Sequence, residues 1–183
     1  SFNTAVGTAM VVALALASSA VIGVTTAAAA VTSTVEGGVL TVTRDADSDV
    51  IVVGCTDEGH VSVNSGDPDS GPATCAIITS IVVTGGPGDD IVNLRRVGAV
   101  TFSTLETVTV DAGDGEDWVT GSQIVDTIAG GADHDVVIAD PSAGDILDGG
   151  DGGDQAEFRA AGTLTITDDE VIEGIRLLAE TAG

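Results

Sequence analysis

Aspartates recur at a nine-residue spacing through the second half of the chain. The segment 85–93 reads Gly-Gly-Pro-Gly-Asp-Asp-Ile-Val-Asn, with Asp90 in sixth place. Later nonamers carry an aspartate in the same place, at steps of 9, 9, 10 and 9 residues: Asp117, Asp126, Asp135, Asp145 and Asp154. Glycine-rich turns expose main-chain carbonyls, and carbonyl and carboxylate oxygens are the ligands that hard cations prefer. The spacing therefore predicts a series of cation sites.

These nonamers match the pattern G-G-x-G-x-D-x-U-x, where U is a large apolar residue, to a graded degree. They resemble the calcium-binding repeats of the RTX, or haemolysin-type, family over residues 85–157. The resemblance implies a parallel β-roll of turns and short strands, with Ca²⁺ held between successive turns on the same side. It also implies two stacked rows of sixth-place residues, with Asp117, Asp135 and Asp154 in one and Asp90, Asp126 and Asp145 in the other.

Ordinary solvated Asp-Gly turns between strands are the alternative interpretation. Some places depart from the motif: Ala112 replaces the first glycine of one nonamer, and Asp133 replaces the third of another. The extra residue between Asp135 and Asp145 predicts a bulge or a shifted edge. A register that holds over five aspartates nevertheless favours calcium binding.

Short strands rich in β-branched residues must position these turns. Upstream of the repeats, residues 38–43, 50–53 and 60–63 read as strands separated by Asp, Gly and Ser turns. The segment 45–51 resembles a decayed nonamer with Asp49 in sixth place, a weak additional calcium candidate. The predicted fold is all-β: a parallel β-roll or β-solenoid, preceded by a disulfide-linked β segment and an N-terminal signal helix.

Residues 1–30 contain no charged side chain, and an apolar stretch is followed by small residues ending in four alanines. This pattern is typical of a secretory signal peptide, with a membrane anchor as the alternative. Export agrees with the two cysteines, Cys55 and Cys75, which would pair in an oxidising compartment. Two buried thiols are the alternative. We therefore expect a secreted or cell-surface protein that is free of the membrane once the signal is cleaved.

The charge of the chain limits its partners. It has 183 residues, 29 of them acidic and 5 basic, which gives a formal net charge of −24. Repulsion from phosphate groups excludes nucleic acid as a partner. No G-x-S-x-G, H-E-x-x-H or Walker motif occurs, and the two histidines, His60 and His134, lack catalytic neighbours in the sequence. The sequence predicts a protein that is not an enzyme.

Four segments follow from these patterns: a signal peptide at 1–30, an N-terminal β segment at 31–84, a calcium-binding β-roll at 85–157 and a C-terminal strand or cap at 158–183. Residues 173–179 resemble two strands that each precede a glycine-rich turn. This similarity predicts that the natural chain continues into further repeats. A cap over the end of the repeats is the alternative.

The predicted function is a structural, adhesive or matrix role outside the cell, with Ca²⁺ as the cofactor and unidentified cell-surface or matrix partners. One alternative is an accessory repeat module of a larger secreted hydrolase, such as a protease or lipase. Another attributes the acidity to life in high salt. That last interpretation predicts stabilisation by any salt, whereas calcium binding predicts a specific ion.

Overall fold

The computed structural model describes residues 31–44, 48–139, 144–158 and 164–167. The predicted signal peptide, 1–30, and most of the predicted cap, 158–183, lie outside the described residues. No helix in the described ranges has the length and apolar character needed to span a membrane.

The described chain is all-β, as predicted. Val, Ile and Thr dominate its strands, and side chains alternate between buried and exposed, as in Thr107–Asp114. A short 3₁₀ turn covers Cys75–Ile77. The strands within the described ranges are β1 Thr32–Glu36, β2 Val39–Thr43, β3 Val50–Cys55, β4 Val61–Val63, β5 Ser80–Pro87, β6 Ile91–Asn93, β7 Thr107–Asp114, β8 Trp118–Thr120, β9 Asp126–Ala132, β10 Val136–Ala139, β11 Asp145–Asp151, β12 Gln155–Phe158 and β13 Leu164–Thr167.

The strands form two sheets. The larger has the order β1-β2-β5-β7-β9-β11-β13, and the smaller has the order β12-β10-β8-β6-β3-β4. From β5 to β13, consecutive strands alternate between the sheets, and neighbours within each sheet are parallel. We call the chain from one strand to its neighbour in the same sheet a circuit. Circuits bring equivalent residues of successive repeats side by side.

The predicted parallel β-roll or β-solenoid is wrong as a description of the fold, because both sheets are mixed. Strands β1 and β2 pair antiparallel, and so do β3 and β4. The turn between β1 and β2 is the pair Gly37 and Gly38, which adopt φ angles of +58° and +86°. Such short connections fold a strand back on its predecessor, whereas parallel pairing requires a long crossover.

Circuits differ in length. Ile91 pairs with Trp118, 27 residues later, whereas Trp118 pairs with Val136 after 18. The longer circuit contains residues 94–106, which lie outside any strand and bury Leu94 and Phe102 completely. This excursion joins the apolar core that both sheets share, so the predicted segments 31–84 and 85–157 pack on one another.

Cys55 and Cys75 form the predicted disulfide. It joins the end of β3 to the 3₁₀ turn and closes the loop that contains β4. Cys75 is buried against the core, and its amide donates a hydrogen bond of 2.8 Å to the carbonyl of Gly59. The disulfide therefore holds the segment between Cys55 and Cys75 against the N-terminal part of the two sheets.

Replacing both cysteines by serine is expected to lower the free energy of unfolding by about 3 kcal/mol, because the cross-link restricts the unfolded chain. Urea denaturation with and without reductant measures the change. Reductant should destabilise the wild type and leave the double variant unaffected. An equal stability of the two proteins would contradict the prediction.

Candidate metal centre

A row of aspartates runs along one edge of the smaller sheet, each directly before a strand. We call it the aspartate column, and its five levels are Asp49, Asp90, Asp117, Asp135 and Asp154. At each of the first four levels the main-chain N–H donates to Oδ1 of the next level, with N–O distances of 3.1, 2.6, 2.9 and 3.0 Å in order. Main-chain hydrogen bonds thus hold successive carboxylates in one line.

The predicted stacking of Asp117, Asp135 and Asp154 is confirmed by these contacts. The predicted place of Asp90 in the other row is wrong, because its amide bonds to Asp117. The circuit between Asp90 and Asp117 has 27 residues. The prediction assumed 18 residues in every circuit, and it therefore assigned Asp90 to the row of Asp126 and Asp145. The weak candidate Asp49 is the first level of the same column.

The second predicted row is short and differently arranged. The N–H of Asp126 donates to Oδ1 of Asp145 at 3.0 Å, so the predicted pair is adjacent. Sequence reasoning missed Ser122, whose N–H and hydroxyl donate to the two carboxylate oxygens of Asp126 at 2.8 and 2.7 Å. A serine four residues before an aspartate in a turn was the available signal. These donors leave Asp126 less suited to a cation than the column, and its metal role stays a prediction.

Below its first level, Asp49, the column is buried. Asp90, Asp117 and Asp135 are 1–2% exposed and Asp154 is 7% exposed. Oδ1 of each of these accepts a main-chain hydrogen bond, but Oδ2 of each has no hydrogen-bond partner among the described residues. A buried carboxylate oxygen without a donor or cation is strongly unfavourable. Binding of a cation or of protons at these oxygens would therefore stabilise the folded column.

Glycines give the carboxylates their space. A Cβ built on Gly130 would lie closer than 3.0 Å to Oδ2 of Asp135 and 2.6 Å from the main-chain oxygen of Gly149 on the next turn. Gly85 has the same relation to Asp90 and to the carbonyl of Ala112. At these two glycines, carboxylate and carbonyl oxygens thus leave no space for a side chain.

Burial raises the pKa of three column carboxyls, those of Asp90, Asp117 and Asp135. The pKa of Asp117 rises from 3.8 to about 6 and that of Asp135 from 3.8 to about 7, in both cases mainly by desolvation. Main-chain hydrogen bonds lower both pKa values, and neighbouring aspartates raise them. Desolvation raises the pKa of Asp90 too, but the charge of Arg44 opposes it.

Arg44 is the second functional residue that sequence reasoning missed. Its side chain is fully buried, its Nη1 contacts Oδ1 of Asp90, and its Nε lies 3.6 Å from Oδ2 of Asp49. Arg44 is five residues before Asp49 and is therefore the first residue of that nonamer. Beginning the repeat at Asp45 concealed this relation.

The donor set fits a hard cation. Every side-chain donor in the column is an oxygen, and Oδ2 of Asp117, Asp135 and Asp154 is buried without a partner in the described structure. Among the described residues no three His, Cys, Asp or Glu side chains converge on one point. A calcium ion would consequently need turn carbonyls for part of its six to eight ligands.

Comparison with known proteins gives no match: no family model, no curated protein and no solved structure matches this chain. The resemblance of the nonamers to the RTX repeat thus rests on the type and spacing of their residues.

Without divalent cations, thermal stability is expected to rise as the pH falls from 8 to 5. The raised pKa values mean that the folded state binds more protons than the unfolded state between about pH 4 and pH 7, so the free energy of unfolding falls as the pH increases through this window. Melting in EDTA at several pH values tests this. In the Asp135→Asn variant the melting temperature should change less with pH. A wild type that melts at a lower temperature at pH 5 than at pH 8 would contradict the prediction.

Gly130→Ala is expected to lower the free energy of unfolding by about 1–3 kcal/mol, because the new methyl group collides with Asp135 and with the next turn. Gly66→Ala is the matched control, since its Cβ would make an ordinary 3.6 Å contact with the carbonyl of Val63. Urea denaturation of both variants measures the difference. Equal stabilities would show that the corner tolerates a side chain.

Proposed function

We propose that this protein is a secreted calcium-binding module with a structural, adhesive or matrix role, in which Ca²⁺ stabilises the stacked circuits. The observation that carries the proposal is the set of buried Oδ2 atoms of Asp117, Asp135 and Asp154, which have no partner among the described residues. Three such atoms in one row need compensation, and a divalent cation supplies it for oxygen ligands.

Each interval of the column offers the same kinds of ligand. Between Asp117 and Asp135, and again between Asp135 and Asp154, there are carboxylates from two levels and the glycine-rich turns that precede them. Bound calcium would neutralise the carboxylates and cross-link adjacent turns. The main-chain hydrogen bonds to Oδ1 keep each carboxylate in place, which reduces the ordering needed on binding.

A structural role agrees with where the acidic groups lie. The column carboxylates from Asp90 onwards are buried rather than presented at the surface. Their effect is on the fold itself, because metal binding by groups that are close together only in the folded state is free energy of folding. The disulfide and the predicted signal peptide favour an oxidising environment outside the cell, where calcium is plentiful.

Calcium is expected to raise the melting temperature of the full chain at pH 8, whereas magnesium or sodium at matched ionic strength is not. Circular dichroism during heating, in EDTA and in about 5 mM of each divalent cation, measures the effect, since extracellular modules bind calcium at about 0.1–1 mM. A concentration ten times above Kd stabilises by roughly 1.4 kcal/mol per site. Equal stabilisation by all salts would favour adaptation to high salt instead.

The variant Asp135→Asn tests whether the calcium response comes from the aspartate column or from the overall negative charge of the chain. The uncharged amide removes a desolvated carboxylate, so the variant should melt at or above the wild type in EDTA and gain less from calcium. Asp111→Asn, at an exposed position on β7, is the matched control and should keep the full calcium response. A full response in the Asp135 variant would contradict the proposal.

A further inference from the structure

We infer that the Arg44 guanidinium is the built-in cation of the first interval of the aspartate column, where it takes the place of a calcium ion. The inference rests on the proposed function, because it states which intervals are open to calcium. The first interval lies between Asp49 and Asp90 and needs no metal, so calcium binding begins below Asp90 and leaves the N-terminal circuit folded without it.

Strand register puts Arg44 at the place that glycine occupies on other levels. Thr43 of β2 pairs with Thr84 of β5, which pairs with Asp111 of β7, and the same row continues through Ala129 and Asp148. The residues that follow these five share the next position: Arg44, Gly85, Ala112, Gly130 and Gly149. At Gly85, Gly130 and Gly149 a Cβ would meet Oδ2 of the aspartate five residues later. Only the first level carries a long side chain there.

The contacts of that side chain bridge two levels. Nη1 contacts Oδ1 of Asp90 on the second level, and Nε faces Oδ2 of Asp49 on the first at 3.6 Å. The side chain is completely buried, and so is that of Asp90. A guanidinium between two carboxylates of adjacent levels supplies positive charge at the point where the other intervals present uncompensated oxygens.

The charge of Arg44 acts on the first levels of the column. It lowers the pKa of Asp90 and that of Asp117, whereas the largest causes of the raised pKa of Asp135 do not include Arg44. The neighbours of Asp135 on both sides are aspartates, and both raise its pKa. Compensation by the protein's own cation is therefore local to the first levels.

The N-terminal circuits have other supports that do not depend on metal. The disulfide lies in the circuit between Asp49 and Asp90, and the next circuit buries Leu94, Val97 and Phe102 completely. Arg44 thus belongs to a part of the fold with a large apolar core. It gives the column a fixed starting level on which calcium-dependent levels can order.

Arg44→Gln tests the inference, with Arg95→Gln as the control for net charge, since Arg95 is exposed and forms no ion pair within the described residues. In EDTA the Arg44 variant is expected to melt lower than the control by on the order of 10 °C, because one partner of a buried ion pair has been removed. Arg44→Lys should recover part of the loss.

Calcium titration by calorimetry gives the second readout. The Arg44→Gln variant is expected to bind one more calcium ion per chain than the wild type and Arg95→Gln, and calcium should restore its melting temperature towards the wild type. Equal stoichiometry of all three, or equal melting of the two glutamine variants in EDTA, would overturn the inference.

Two further outcomes keep the proposals separable. A wild type that binds no calcium while Arg44→Gln still melts lower in EDTA would overturn the proposed function and the exchange of guanidinium for calcium together, but not the role of Arg44 as resident cation. If Arg44→Gln does not fold, the double variant with Asp90→Asn removes both charges. It should fold in EDTA, and its failure to do so would show that Arg44 acts through packing instead.

Discussion

Carboxylates stacked one above another in a buried row repel each other, and the structure is organised around the compensation of that charge. Main-chain N–H groups satisfy Oδ1 of each column residue from Asp90 onwards, which fixes the positions of the side chains without neutralising them. At the head of the column Arg44 contacts Oδ1 of Asp90, whereas Oδ2 of Asp90, Asp117, Asp135 and Asp154 has no hydrogen-bond partner among the described residues, and under the proposed function a cation meets this charge. The glycines follow from the same constraint, since a methyl group at Gly130 would displace the Asp135 carboxylate.

Stability has different sources at the two ends of the chain. The early circuits bury large apolar side chains such as Ile81, Leu94 and Phe102, and they contain the disulfide. The later circuits have smaller apolar contributions, for example from Val137 and Ala156. Because apolar burial scales with area, the later circuits depend more on how the column charge is met. If the proposed function holds, the effect of calcium on stability is expected to increase towards the C-terminal side of the described chain.

Local spacing was enough to predict part of this arrangement. Asp117 and Asp135 are 18 residues apart and stack, because a circuit of that length returns the chain to the same edge. Asp90 was assigned to the wrong row because the prediction assumed circuits of constant length. Residues 94–106 pack into the core and make one circuit nine residues longer than the next. The antiparallel pair of the larger sheet depends on the tight Gly37–Gly38 turn, that of the smaller sheet depends on the short connection between Cys55 and Val61, and the partnerless oxygens depend on which donors lie nearby in space. The nine-residue spacing of the aspartates predicts none of these features.

The four main-chain hydrogen bonds of the column point the same way, from the amide of one level to the carboxylate of the next. From Asp90 to Asp135, each level therefore accepts a hydrogen bond from the amide of the level before it and donates one to the carboxylate of the level after it. Tandem duplication of a circuit below Asp117 would recreate the same amide-to-carboxylate bond at each new junction. The column is thus of a kind that can change length in steps of one circuit, whereas the level that contains Arg44 differs from all the others.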